Sequence, residues 1–244
     1  MKHVTIMDIP FLNTNQHSFV QLLNQRIQKK EKTFIVTANP EVVMKANHDQ
    51  QFMQHLQHAT YVVADGIGIV KAAKLLNQPL PERVTGYDTM IDLLKLADKN
   101  RYRIFLLGAK EGTLEKTVNE ISTRYPNIEI VGSQHGYFDR ESKDITASIA
   151  RLQPDITFVA LGCPGQESWI ANNLSNFDYG IFMGVGGSFD VIAGTVKRAP
   201  MIFQKLNLEW FYRLLKQPTR WRRMLTLPQF AFRIVRQKTK GKIS

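Results

Sequence analysis

Thr33-Phe34-Ile35-Val36-Thr37-Ala38-Asn39-Pro40-Glu41 is a β-branched and aromatic run that ends at an Asn-Pro pair and passes into a helical pattern. Such a run reads as a strand buried on both faces, with the next helix beginning near Pro40. The same grammar recurs downstream. Tyr61–Ala64 leads into Asp65-Gly66-Ile67-Gly68, and residues 103–107 lead into Gly108 through Gly112. Residues 156–161 lead into Gly162-Cys163-Pro164-Gly165-Gln166-Glu167, and 180–183 into Gly184-Val185-Gly186-Gly187-Ser188-Phe189-Asp190. Between these runs lie amphipathic helices, for example 111–125, with Leu114, Val118 and Ile121 on one face. Strands alternating with helices predict an α/β fold: a Rossmann-like parallel sheet with helices on both faces.

The charge is distributed unevenly around this pattern. From residue 205 to 244, 11 Lys and Arg face a single acid, Glu209, whereas the preceding 204 residues hold 21 Lys and Arg against 20 acids. Nearly all of the formal +11 therefore sits in the tail. The reading is an α/β body over residues 1–200 and a basic, amphipathic, helical membrane-docking appendage over 201–244. Two or three short helices are predicted in the appendage, over 204–216, 219–227 and 230–240, interrupted at Pro218 and Pro228. Arg213, Lys216, Arg220 and Arg223 fall at steps of three and four, with Trp210, Phe211, Leu214, Leu215 and Trp221 as apolar complement. Anionic lipid attracts each basic side chain by roughly 1 kcal/mol, so half the charges engaged would give about 5 kcal/mol. A solvated basic helix packed on the body is the competing reading. Nucleic-acid binding would use the same charges, but the body holds no recognisable nucleic-acid module.

Composition narrows the setting. A chain of 244 residues with 43% hydrophobic and 22% charged residues can bury a sizeable core. Its one cysteine, Cys163, excludes an internal disulfide and suits a reducing compartment. Neither a secretory signal nor a bilayer-length apolar run is present, so the expectation is a cytoplasmic protein, peripheral at the inner face of the membrane. Burial of a sheet edge or the base of the tail in a homo-oligomer is compatible with the sequence.

Open α/β sheets bind ligands beyond the carboxyl ends of their strands, which directs attention to the strand-end loops. Glycines there let backbone N–H groups approach a phosphate at a helix N-terminus. Each loop alone also reads as a plain turn; several along one sheet edge favour a nucleotide or sugar-nucleotide. None is a Walker A loop, and the glycines after residue 183 are spaced G-x-G-G, unlike the dinucleotide fingerprint. No HExxH, Cys/His cluster or Asp-x-Asp occurs, so neither a metal nor another cofactor is expected. A diphosphate would have to be met by Arg, Lys and helix N-termini, with Arg83, Lys197 and Arg198 as candidates in the body.

Taken in order, these loops, together with Arg83-Val84-Thr85-Gly86 and Asp88, Gly136-Tyr137-Phe138, Pro154-Asp155, Trp169, Arg198-Ala199-Pro200 and, in the tail, Leu208-Glu209-Trp210 with Arg213, Pro218, Arg220 and Arg223, resemble the WecG/TagA/CpsF family of bacterial glycosyltransferases. The resemblance covers nearly the whole chain and is greatest to the TagA/TarA branch. It implies inverting transfer of N-acetylmannosamine from its UDP derivative to undecaprenyl-diphosphate-linked N-acetylglucosamine, which makes the linkage unit of wall teichoic acid. Other branches move another sugar, such as mannosaminuronic acid. A lipid-linked acceptor agrees with a basic tail at an anionic membrane surface.

The resemblance places the general base at Asp65, with Glu41, Asp88 and Asp190 as rivals. Thr37 and Asn39 look like substrate-positioning groups, with capping of the helix at Pro40 as their competing role. Arg83 is expected to neutralise a diphosphate and Gln166 to hydrogen-bond it. Gly108, Tyr137, Gly186 and Asp190 are assigned to the nucleotide pocket. Arg213, Arg220 and Arg223 are expected to close over the site when the tail meets the membrane.

Overall fold

The computed structural model describes residues 2–140, 142–216, 221 and 225–240. A short hairpin, β1 (His3–Ile6) and β2 (Ile9–Leu12), opens the chain, followed by α1 (Gln16–Gln28) and β3 (Lys32–Ala38). Then come α2 (Pro40–Ala46), α3 (Gln50–Gln57), β4 (Tyr61–Ala64), α4 (Ile67–Leu75) and α5 (Gly86–Asn100). The second half alternates β5 (Arg103–Gly108), α6 (Glu111–Arg124), β6 (Glu129–Gln134), α7 (Asp144–Leu152), β7 (Ile156–Ala160), α8 (Gly165–Asn173), β8 (Gly180–Gly184) and α9 (Ser188–Ile192). Among the described residues, α10 (Met201–Lys205), α11 (Glu209–Lys216) and α12 (Thr226–Lys240) follow.

The eight strands form one sheet in the order β1-β2-β4-β3-β8-β7-β5-β6, parallel throughout except for the antiparallel β1–β2 pair. Parallel neighbours need crossovers, and here the crossovers are helices covering both faces. Phe34, Val36 and Ala38 of β3 face a core layer with Val43, Phe52, Ile69 and Trp169, from α2, α3, α4 and α8. Ile35 points the other way, into a layer with Phe19, Leu93, Leu114 and Phe189 from α1, α5, α6 and α9. Strands β4, β7 and β8 are buried at every position, which is why they read as continuous apolar runs. The Rossmann-like arrangement expected from the sequence is the one observed.

Three strands lay outside that reading. The β1–β2 hairpin turns on Met7 and Asp8, both at positive φ (48° and 66°). Two-residue turns of this kind are normally signalled by Asn-Gly or Asp-Gly, and this one carries no glycine. Strand β6 closes the sheet half-exposed, so it lacks an apolar run.

The tail helices also depart from expectation. The predicted helix over 204–216 is broken between α10 and α11, where Asn207 takes a left-handed φ of 58°. Pro228 does not interrupt a helix; it is the third residue of α12, within the first turn, where an N–H has no intrahelical partner to lose. Packing crosses residue 200. Phe230 and Ile234 of α12 are buried in the same core layer as Val4, Ile6 and Val43. Gln237 Oε1 accepts from the Met7 N–H at 3.0 Å, and Gln237 Nε2 donates to the Thr5 carbonyl at 3.3 Å. Phe232 and Val235 of α12 remain exposed. No helix among the described residues is long and apolar enough to cross a membrane.

Because Phe230 fills core volume, Phe230→Ala is expected to destabilise the protein by about 3–5 kcal/mol. Denaturant titration of the two proteins checks this; an unchanged midpoint would mean that α12 does not pack on the body.

Candidate functional site

Three elements converge where β3 and β4 end. The β3–β4 register pairs Thr37 with Val63 and Ala38 with Ala64. Asp65 follows directly, its N–H donating to the Ala38 carbonyl at 3.0 Å, so Thr37 and Asp65 leave adjacent strand ends. The third element is α5. Its first residue, Gly86, donates its N–H to Asp65 Oδ2 at 3.4 Å. A Cβ on Gly86 would stand 2.9 Å from Thr37 Oγ1, so the missing side chain is what lets α5 approach the threonine. Thr85 caps the helix, accepting from the Asp88 N–H at 3.1 Å. The carboxylate of Asp65 and the hydroxyl of Thr37 thus meet the positive end of a 15-residue helix. Asn39 is the N-cap of α2, its Oδ1 accepting from the Val42 N–H at 3.0 Å. The capping role weighed for Asn39 is present.

Arg83 sits beside this centre in a chain of alternating charges. Its guanidinium pairs with Glu209 at 2.7 Å and donates to the Gln204 carbonyl at 3.4 Å. Glu209 also reaches Arg198 at 3.4 Å, and Arg198 pairs with Asp88 at 2.8 Å while lying 4.5 Å from the centre of the Tyr87 ring. Burial pushes the Asp88 carboxyl up, but hydrogen bonds from Arg198 and Thr85 more than offset this and hold it below the ordinary carboxylate range. A carboxylate held that way is a weak proton acceptor, which argues against Asp88 as the general base. A cleft of about 440 Å³ opens here, lined by Arg83, Thr85, Asp88, Ile67 and Asn207 among others.

The glycine loops lie further along the same edge. After β8, Gly186 has φ 51° and open space where a Cβ would project, and its N–H donates to Gln166 Oε1 at 3.0 Å. Asp190 stands in the first turn of α9, half-buried. Gly108 ends β5 at φ 119°, and a Cβ there would clash with the Ala160 carbonyl group, so the glycine is required by strand packing. Gly136 donates to the Ala109 carbonyl at 2.8 Å, which brings exposed Tyr137 to this corner. From β4 to β5 is four strand steps, about 19 Å at the usual strand spacing. Asp65 with Thr37, and Gly108 with Tyr137, therefore mark the two ends of a long edge, with Gly186 between them.

Two of the residues the structure connects were not singled out for a role in the sequence. Glu209 is the sole acid of the basic tail, a signal that was available. Glu167 is almost wholly buried at the start of α8; its Oε1 accepts from Gln166 Nε2 at 2.8 Å, and its Oε2 has no hydrogen-bond partner among the described residues. Burial pushes its carboxyl up from an ordinary 4.5 to about 7, against the Gln166 hydrogen bond and the Lys45 charge. Of the expected tail arginines, Arg213 lies on α11, whereas Arg220 and Arg223 fall outside the described residues. No cluster of His, Cys, Asp or Glu suited to a metal ion occurs among the described residues.

The family model for glycosyl transferases of the WecG/TagA/CpsF family matches residues 4–244. A Bacillus subtilis (strain 168) protein named N-acetylglucosaminyldiphosphoundecaprenol N-acetyl-beta-D-mannosaminyltransferase is 42% identical over 243 residues, 99% of this chain and 94% of that protein. A Staphylococcus aureus (strain MW2) protein of the same name is 41% identical over 241 residues, 98% of this chain and 94% of that protein.

The raised carboxyl of Glu167 has a consequence for stability. A folded-state value above the unfolded one contributes stability that is complete below pH 4.5 and lost as pH rises through 7. The loss is expected to total about 3 kcal/mol, and Glu167→Gln should abolish it, leaving the variant the more stable protein at pH 8. Chemical denaturation at pH 5 and pH 8 tests this; parallel pH dependences in the two proteins would refute it.

Proposed function

The chain belongs to the WecG/TagA/CpsF family of glycosyl transferases, and from that premise we propose that it moves N-acetylmannosamine from UDP-N-acetylmannosamine to undecaprenyl-diphosphate-linked N-acetylglucosamine, with inversion to a β linkage. The observation that carries this reading is the end-to-end similarity, over 98–99% of the chain, to two proteins named for that acceptor and that sugar.

The geometry supplies a chemical route. Asp65, at the end of a buried strand beside the α5 N-terminus, takes the proton of the acceptor hydroxyl as its oxygen attacks the anomeric carbon. Thr37, held against Gly86, orients the sugar. UDP departs from the opposite face, and its diphosphate charge needs compensation. Arg83 has five N–H donors, enough to meet a phosphate while keeping part of its pairing with Glu209. Arg213, Arg220 and Arg223 add charge when the tail lies at the membrane. The nucleotide extends along the edge past Gly186, Gln166 and Asp190 towards Gly108 and Tyr137.

Recruitment is peripheral, at the inner face of an anionic membrane. The acceptor carries its diphosphate at the lipid surface, so an enzyme that must reach it gains from a basic tail with exposed Phe232, Val235 and Trp210.

Transfer from UDP-N-acetylmannosamine to a lipid-diphosphate-linked N-acetylglucosamine, with EDTA present, is the test. Wild type is expected to turn over, and Asp65→Asn to lose about 10²–10⁴-fold in kcat. Full activity in Asp65→Asn would remove the base assignment. A wild type that binds UDP but transfers nothing would point to another donor sugar, mannosaminuronic acid first.

A further inference from the structure

The buried pair Gln166–Glu167 connects the interior of α8 to the open glycine loop after β8. Gln166 Oε1 accepts from the Gly186 N–H at 3.0 Å, and Gln166 Nε2 donates to Glu167 Oε1 at 2.8 Å. The amide is pressed against the strand: a Cβ on Gly184 would stand 2.6 Å from Gln166 Nε2. In this slot the side chain has one serviceable orientation. Its NH₂ must face the carboxyl, and its oxygen is thereby turned to Gly186.

Glu167 is a costly choice for this position. Its side chain is almost wholly buried, and Oε2 finds no donor among the described residues. Neighbouring Trp169 and Ile170 belong to the apolar core layer, so an unbranched apolar side chain of the same volume would pack more cheaply. What an apolar side chain cannot provide is the acceptor that sets the Gln166 amide.

We propose that Glu167 is a positioning residue: acting through Gln166, it fixes the loop at Gly186 in the shape that receives the UDP moiety of the donor. This rests on the reading above that the donor lies along the sheet edge past Gly186. Gly186, at positive φ and with none of the described residues within 4 Å of where a Cβ would project, presents that part of the edge to a ligand. If the amide turned over, its NH₂ would face the Gly186 N–H, donor against donor, and the loop would have to move.

The test compares Glu167→Gln, which keeps an acceptor at the same reach, with Glu167→Met, which keeps the volume and removes it. Titration calorimetry with UDP and steady-state transfer with varied UDP-N-acetylmannosamine are measured on full-length protein. Glu167→Gln is expected to bind UDP within about threefold of wild type. Glu167→Met is expected to bind at least tenfold more weakly and to raise the donor KM by a similar factor, with kcat at saturating donor nearly retained. Equal UDP affinity in wild type, Glu167→Gln and Glu167→Met would overturn the proposal while leaving the site reading intact. Equal losses in the two variants would also overturn it, since they would mark a general packing defect. A wild type that does not bind UDP would overturn the site reading and this inference together. If Glu167→Met does not fold, Glu167→Asp carries the comparison. It keeps a carboxyl but withdraws it by one methylene, so it must weaken UDP binding at least tenfold; wild-type affinity would overturn the proposal.

Discussion

The parallel pairing of β3 between β4 and β8 is the constraint from which the rest follows. Ile35 is paired at once with Tyr61 of β4 and Met183 of β8, and its neighbours Phe34 and Val36 are buried on the opposite face. Each fully buried side chain of this size contributes roughly 1.5–3 kcal/mol, so a slip of one residue, which exchanges the two faces, would forfeit many such terms. The register is therefore strongly determined. Because it is, the residues at the strand ends are placed without a contribution from the loops themselves: Thr37 beside Val63, and Asp65 hydrogen-bonded through its backbone to Ala38. A site built on the ends of buried strands inherits their rigidity.

This constraint also explains what was legible beforehand. Strands buried on both faces announce themselves as apolar runs, and β3, β4, β5, β7 and β8 did so to within a residue or two. The β1–β2 hairpin and β6 lie at the margins, where one side meets solvent or the turn uses Met7 and Asp8 in place of glycine. Resemblance offers Thr37 and Asp65 as candidates, and only the β3–β4 register explains their nearness. Glycine reading was less secure. Gly108 suggested close approach of a phosphate, and its immediate requirement is the neighbouring Ala160 carbonyl. Long-range pairing was invisible: Arg83 and Glu209 are separated by 126 positions, and no local pattern relates them.

The alternating series Arg83, Glu209, Arg198 and Asp88 joins segments that composition separates. A boundary drawn from net charge falls near residue 200, yet the most buried ion pair of that series crosses it. Composition reports what a segment presents to solvent, whereas packing is decided by the few residues that are not presented. Glu209 is such a residue: one acid among many bases, placed where two body arginines need a counter-charge.

Helix α12 carries that point into the way the molecule is made. Phe230 and Ile234 complete a core layer whose other members include Val4 and Ile6, so the first strand and the last helix finish the same interior. During synthesis the amino-terminal hairpin emerges long before the residues that cover it. Until residues 226–240 leave the ribosome, that patch stays open to water and to other apolar surfaces. A chain lacking residues 226–240 would therefore have an unfinished interior.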